Sequence, residues 1–166
     1  MDFKKFKARA LRKKKGLSAF LKKLDKVVPE GFDKLVAEQD AKVWQEVDCT
    51  ECANCCKTMT PTYRKSDIVR ISNHLKMTPK EFVEKWVHKE KESGDWVNNL
   101  QPCQFLVNNK CSIYEVRPKD CAEFPHHNKK SFDLYNDTFK GNLTRCPATL
   151  QLIDRLKKKV EKDYVW

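Results

Sequence analysis

The chain has 166 residues, 34 of them Lys or Arg and 23 Asp or Glu, for a formal charge of +11; eight are cysteines and only four are glycines. That length suits one domain of ordinary size with an appended arm, and 40% hydrophobic against 34% charged residues excludes a disordered or membrane-embedded class. Gly16, Gly31, Gly94 and Gly141 are too scattered for a dinucleotide-binding fingerprint or a P-loop, and no apolar run reaches the roughly 18 residues of a spanning helix.

Residues 1–26 hold eleven Lys/Arg and two Asp, a net +9, which leaves 23 basic and 21 acidic residues, a net +2, in the other 140. The stretch from Leu17 to Leu24 is interrupted by Lys22 and Lys23 and no small-residue cleavage site follows, so the start reads as a mature, cytoplasmic segment rather than a secretory leader. Leu17, Phe20, Leu21, Leu24 and Val28 recur at helical spacing with Lys22, Lys23 and Lys26 opposite, predicting an amphipathic helix ended by Pro29. Phe32, Leu35, Val36, Val43, Trp44 and Val47 form a second stripe running to the first cysteine. Ser66-Asp67 open a helix carrying Ile68, Val69, Ile71 and Leu75. Thr78-Pro79-Lys80-Glu81 predicts a capped start with proline at the first helical position and a capping box closed by Glu81; Phe82, Val83, Trp86 and Val87 give that helix its buried face.

The one clear strand signal spans residues 103–114, where Asn108-Asn109 tolerate positive φ and predict a hairpin. A two-residue loop pairs Val107 with Lys110. A three-residue loop pairs Val107 with Cys111 and gathers Cys103, Phe105, Val107, Cys111 and Ile113 on one face, so it is the expected register. It would hold Cys103 and Cys111 roughly 13 Å apart, too far to share one ion. The last helix begins at Pro147, with Leu150, Ile153, Leu156 and Val160 on one side.

All eight cysteines lie between Cys49 and Cys146. In a reducing cytoplasm such a group points to metal or redox chemistry before disulfides. Cys49, Cys52, Cys55 and Cys56 read C-x2-C-x2-C-C, and a C-x2-C step presents two thiolates to one ion across a tight turn. Four thiolates make a structural zinc site, and the same run begins the ferredoxin ligand set for [4Fe–4S], where a remote Cys-Pro like Cys146-Pro147 completes a cluster. Cys55 and Cys56, being adjacent, are expected to point apart. Cys103, Cys111, Cys121 and Cys146 supply the remaining candidate ligands.

The blocks CTECANCC, PCQFL and KCSIYEVRPKDCAEFP resemble the YkgJ-type cysteine-cluster proteins, with Arg117-Pro118 and Phe124-Pro125 also in the pattern. The resemblance spans roughly residues 45–150, including the helical spacer at 66–88. It implies a zinc- or iron-chelating domain of unassigned molecular role, related to a domain of flagellin lysine-N-methylases. It leaves residues 1–26 outside.

Arg117 has two readings: a partner that offsets or hydrogen-bonds a thiolate beside the cofactor, or an ordinary ion pair with Glu115 or Asp120. His126-His127 sit on a polar stretch and are expected to be solvated, while Tyr114 and Phe124 are expected in the core. Residues 1–26 suit a nucleic acid, an anionic membrane surface or an acidic partner. The expected fold is mainly α with a small β-hairpin and an irregular Cys-rich core stapled by metal. Residues 1–30 form a basic amphipathic arm or helix and 31–166 a single cysteine-cluster metal-binding domain. Zinc or iron chelation by cysteine thiolates is the leading function. An Fe–S-dependent enzyme related to protein-lysine N-methylases, and a nucleic-acid or partner-binding module with a purely structural metal, are the rivals.

Overall fold

The structure, a computed structural model, describes residues 2–163. In chain order its elements are α1 (Phe3–Leu24), α2 (Phe32–Trp44), α3 (Cys49–Cys52), α4 (Asn54–Thr58), β1 (Thr62–Tyr63), α5 (Lys65–His74), α6 (Pro79–Trp86), β2 (Val87–Lys89), β3 (Trp96–Asn98), β4 (Leu106–Val107), β5 (Lys110–Cys111), α7 (Lys119–Glu123), α8 (Asn136–Asn142) and α9 (Pro147–Asp163). Helices dominate and the strands are short, as the composition and periodicity predict. The chain forms two compact units, Met1–Asp48 with Pro125–Trp166, and Cys49–Phe124. These boundaries differ from the sequence division at residue 30.

The first unit is a helical assembly of α1, α2, α8 and α9. α1 is longer than its predicted apolar stretch, reaching back through the lysine-rich start to an Asp2 cap that accepts from the Lys5 amide. It stops at Leu24, so Pro29 lies in the following loop and Val28 is exposed rather than part of the stripe. Phe6, Ala10, Leu17, Phe20, Leu21 and Leu24 form its buried face. Gly31 precedes α2 at φ 71°, a left-handed conformation that glycine adopts without a Cβ penalty. α9 starts at Pro147 and buries Leu150, Ile153, Leu156 and Val160. Phe132 stacks on Phe139 with ring centroids 4.2 Å apart. Asp154 of α9 receives Lys13 Nζ (2.6 Å) and Arg9 (3.1 Å) from α1. Burial opposes its charge, but these hydrogen bonds outweigh that and hold its carboxyl below the ordinary value.

His127 belongs to this unit and is buried, contrary to the expectation of a solvated loop residue. Its Nδ1 lies 2.7 Å from Asp40 and its Nε2 2.9 Å from the Thr149 hydroxyl. With Nδ1–H donated to the carboxylate, Nε2 accepts the hydroxyl proton. The ring also packs beside Trp44 and Phe139.

In the second unit, β1, β3 and β2 form an antiparallel sheet in that order, and β4 and β5 form the hairpin. The three-stranded sheet was not anticipated, because strands of two or three residues show no periodicity, and it places Val87, expected on the helix, at the start of a strand. Thr78 and Glu81 build the predicted capping box before α6. The core is small: Tyr63, Ile68, Ile71, Phe82, Val87, Phe105 and Ile113. Tyr114, expected inside, is exposed.

Candidate metal centre

The first cysteine run is folded by a backbone reversal. Cys49 and Cys52 lie on α3 and Cys55 and Cys56 on α4, with Ala53 between them at φ 47°. A left-handed alanine costs roughly 1–2 kcal/mol. The reversal turns the second pair of cysteines back toward the first. The Ala53 amide donates to the Cys49 carbonyl (3.0 Å), and the Lys57 amide to the Ala53 carbonyl (3.2 Å). Cys55 and Cys56 do not point apart: their sulfurs are 4.0 Å from each other.

The hairpin is fastened to this run at both ends. The Cys103 amide donates to the Cys56 carbonyl (2.8 Å), and Asn109 Nδ2 donates to the Glu51 carbonyl (2.9 Å). The register is the two-residue one, with Val107 opposite Lys110 and Leu106 opposite Cys111. Asn108 and Asn109 both adopt positive φ (49° and 65°), which a two-residue turn of this hand requires. Cys103 stands outside the ladder, in a turn closed by the Leu106 amide on its carbonyl (2.9 Å). The face argument that kept Cys103 and Cys111 apart therefore fails, because it assumed a longer strand.

α7 delivers Cys121. Buried Asp67 accepts the Lys119 amide (3.2 Å) and the Arg64 amide (3.0 Å), joining α7 to the start of α5. Asp120 accepts the Thr62 amide (3.1 Å) from β1.

The seven cysteines of this unit form one electrostatic group. Burial raises the Cys52, Cys103, Cys111 and Cys121 thiols above their ordinary value, and the nearby Cys56 sulfur adds to each. Cys103 and Cys111 raise Cys121 further, and Cys103 raises Cys111. Neighbouring sulfurs thus add to the effect of burial at Cys103, Cys111 and Cys121. The hydrogen bond between the Cys55 and Cys56 sulfurs pushes one thiol up, Cys55, and the other down, Cys56, to about 7. As they stand, no three His, Cys, Asp or Glu side chains among the described residues are gathered into one chelating group.

The donor set nevertheless fits a thiophilic ion. Soft thiolates select zinc, copper(I) or iron–sulfur chemistry, and three of these sulfurs have a backbone N–H two residues on that favours their charged form: Asn54 for Cys52, Phe105 for Cys103 and Ile113 for Cys111. The Asn98 side chain also favours the Cys103 thiolate, while its buried Nδ2 has no conventional hydrogen-bond partner. An amide held against a sulfur stabilises negative charge there and orients a ligand. A repeated Cys-x-N–H arrangement was legible in principle as a cysteine at the head of each tight turn. Asn98 had no signal in the sequence.

Arg117 follows neither reading completely. It stacks over the Tyr114 ring (4.0 Å) and donates to the Tyr114 carbonyl (2.7 Å) rather than pairing with Glu115 or Asp120. Its charge does favour the Cys111 thiolate. Cys146 is buried in the other unit, just before α9, with its amide on the Asn142 carbonyl (2.8 Å).

Residues 48–140 match the family model CxxCxxCC, described as "Putative zinc- or iron-chelating domain", and the chain belongs to that family. No curated protein and no solved structure matches it. No helix among the described residues is long and apolar enough to cross a membrane.

Proposed function

We propose that the protein binds a single zinc or iron ion through the thiolates of Cys56, Cys103, Cys111 and Cys121, which knit α4, the hairpin and α7 together. One observation carries this reading: the Cys103 amide is bonded to the Cys56 carbonyl (2.8 Å), tying the hairpin that bears Cys103 and Cys111 to α4, and burial with neighbouring sulfurs raises the Cys103, Cys111 and Cys121 thiols. Their crowding is unfavourable to four anions alone, and a divalent cation reverses its sign. Cys56, with its thiol lowered to about 7, is the ligand most ready to coordinate at neutral pH. Binding would draw the four sulfurs inward, so metal and folding are coupled in this unit. Cys49, Cys52 and Cys55 flank the quartet, and Arg117 offsets its charge beside Cys111. The reading belongs to a reducing compartment, the cytoplasm, where such thiols persist.

The test is metal analysis and visible absorption on protein purified without oxygen. One equivalent of zinc or iron without acid-labile sulfide is expected, lost in Cys121→Ser and retained in Cys146→Ala. Acid-labile sulfide with broad brown absorption would replace the single ion by a cluster. Folded, metal-free protein would overturn chelation altogether.

A further inference from the structure

The cationic start of the chain is a feature that metal binding does not use. α1 contains ten Lys/Arg and no acidic residue over its 22 residues. Lys4, Lys7, Arg12, Lys14 and Lys15 are exposed and take part in no ion pair among the described residues. At 100° per residue they cover one continuous arc of about 160°. The positive field extends onto α9, where Arg9, Lys13 and Lys158 converge on the single carboxylate of Asp154.

We infer that the exposed face of α1 is a docking surface for the phosphate backbone of double-stranded nucleic acid, bound without regard to sequence. Three observations select this partner. A membrane-surface helix needs a spare apolar face, but Phe6, Leu17, Phe20, Leu21 and Leu24 are spent in the core of the unit, and Leu11 is the one large apolar side chain exposed on α1. Single strands are held by aromatic stacking, and of the three α1 rings Phe6 and Phe20 are buried while half-buried Phe3 sits edge-on against Phe6, centroids 6.3 Å apart. A protein partner is anchored by aromatic and apolar hot spots within a polar rim, whereas the other exposed positions of α1 within this arc are Ala8, Leu11, Ala19 and Lys22. What remains is a run of exposed cations from Lys4 to Lys15, about 17 Å along the helix axis, facing about five base-pair steps of a regularly charged duplex.

The experiment is fluorescence anisotropy of the full chain with a labelled duplex of about twenty base pairs, titrated over a range of salt. The variant is Lys4→Gln/Lys7→Gln/Arg12→Gln/Lys15→Gln, whose glutamines keep helix propensity; circular dichroism and metal content report that both units are intact. Four lost phosphate contacts should lower the slope of log K against log salt by about 3.6 and weaken low-salt binding at least tenfold. Lys91→Gln, on the other unit, should leave both unchanged. Absent duplex binding, an unchanged slope in the quadruple variant, or an equal loss in Lys91→Gln would overturn the assignment. So would tighter binding to single-stranded RNA, to poly-glutamate or to phosphatidylserine vesicles than to the duplex.

Discussion

The unit built from residues 1–48 and 125–166 buries Phe6, Leu17, Phe20, Leu21, Leu24, Phe32, Phe132, Phe139, Leu150, Ile153 and Leu156 along its helices, whereas residues 49–124 have one core cluster of seven buried residues and carry seven cysteines, of which only Cys52 is fully buried. Their charges differ as much: the first carries 22 basic and 13 acidic residues, the second 12 and 10. Hydrophobic burial scales with apolar area, so the first unit is specified by ordinary packing. The second has short strands, short helices and a left-handed alanine, and on the proposed function its architecture is closed by metal-bound sulfur. Four thiolates and a divalent ion would take its +2 to zero, leaving the positive charge of the protein on the other unit.

The largest effect that separates the two is expected from Cys56→Ser. It removes the thiol most ready to ionise at neutral pH, and metal affinity should fall at least tenfold, read by chelator competition. The melting of the helical unit should stay unchanged.

Within the helical unit, His127→Ala takes away a ring packed beside Phe139 and two hydrogen bonds, leaving buried Thr149 with its acceptor gone. Destabilisation of about 3 kcal/mol in urea unfolding is expected, with metal content intact. Asp154 gives this unit a pH dependence of its own. Its carboxyl is held below the ordinary value, so its stabilisation is fully present above about pH 4. That contribution is lost as pH falls through the folded-state value. Asp154→Asn should flatten this acid limb and cost about 1–2 kcal/mol at neutral pH, checked by urea unfolding across pH.

The smallest effect is expected from Thr78→Ala, which opens the capping box of α6 and should cost about 1 kcal/mol by the same measurement.

The two units were also unequally legible in the sequence. Pro147, the stripe of α9 and the capping box at 78–81 act through local backbone chemistry, so they read directly and fall where expected. The cysteine blocks named the family and the candidate ligands. The hairpin register was misread because the apolar alternation of Phe105, Val107, Cys111 and Ile113 was weighed above the tolerance of both asparagines for positive φ; in a two-residue strand the turn decides. His127 could not be read, since its partners Asp40 and Thr149 are remote in sequence. The left-handed Ala53 was equally hidden, because alanine carries no sequence signal for that conformation. Likewise the placing of α7 and the hairpin turn against their neighbours is set by Asp67, Asp120 and Asn109, bonded to residues remote in sequence, rather than by cysteine spacing.

Hydrogen exchange followed by region, on metal-loaded protein with and without a strong chelator under reducing conditions, tests the central contrast most directly. Chelation should abolish amide protection through residues 49–124 while α1, α2 and α9 keep theirs. Protection of residues 49–124 that survives complete metal removal would contradict the account.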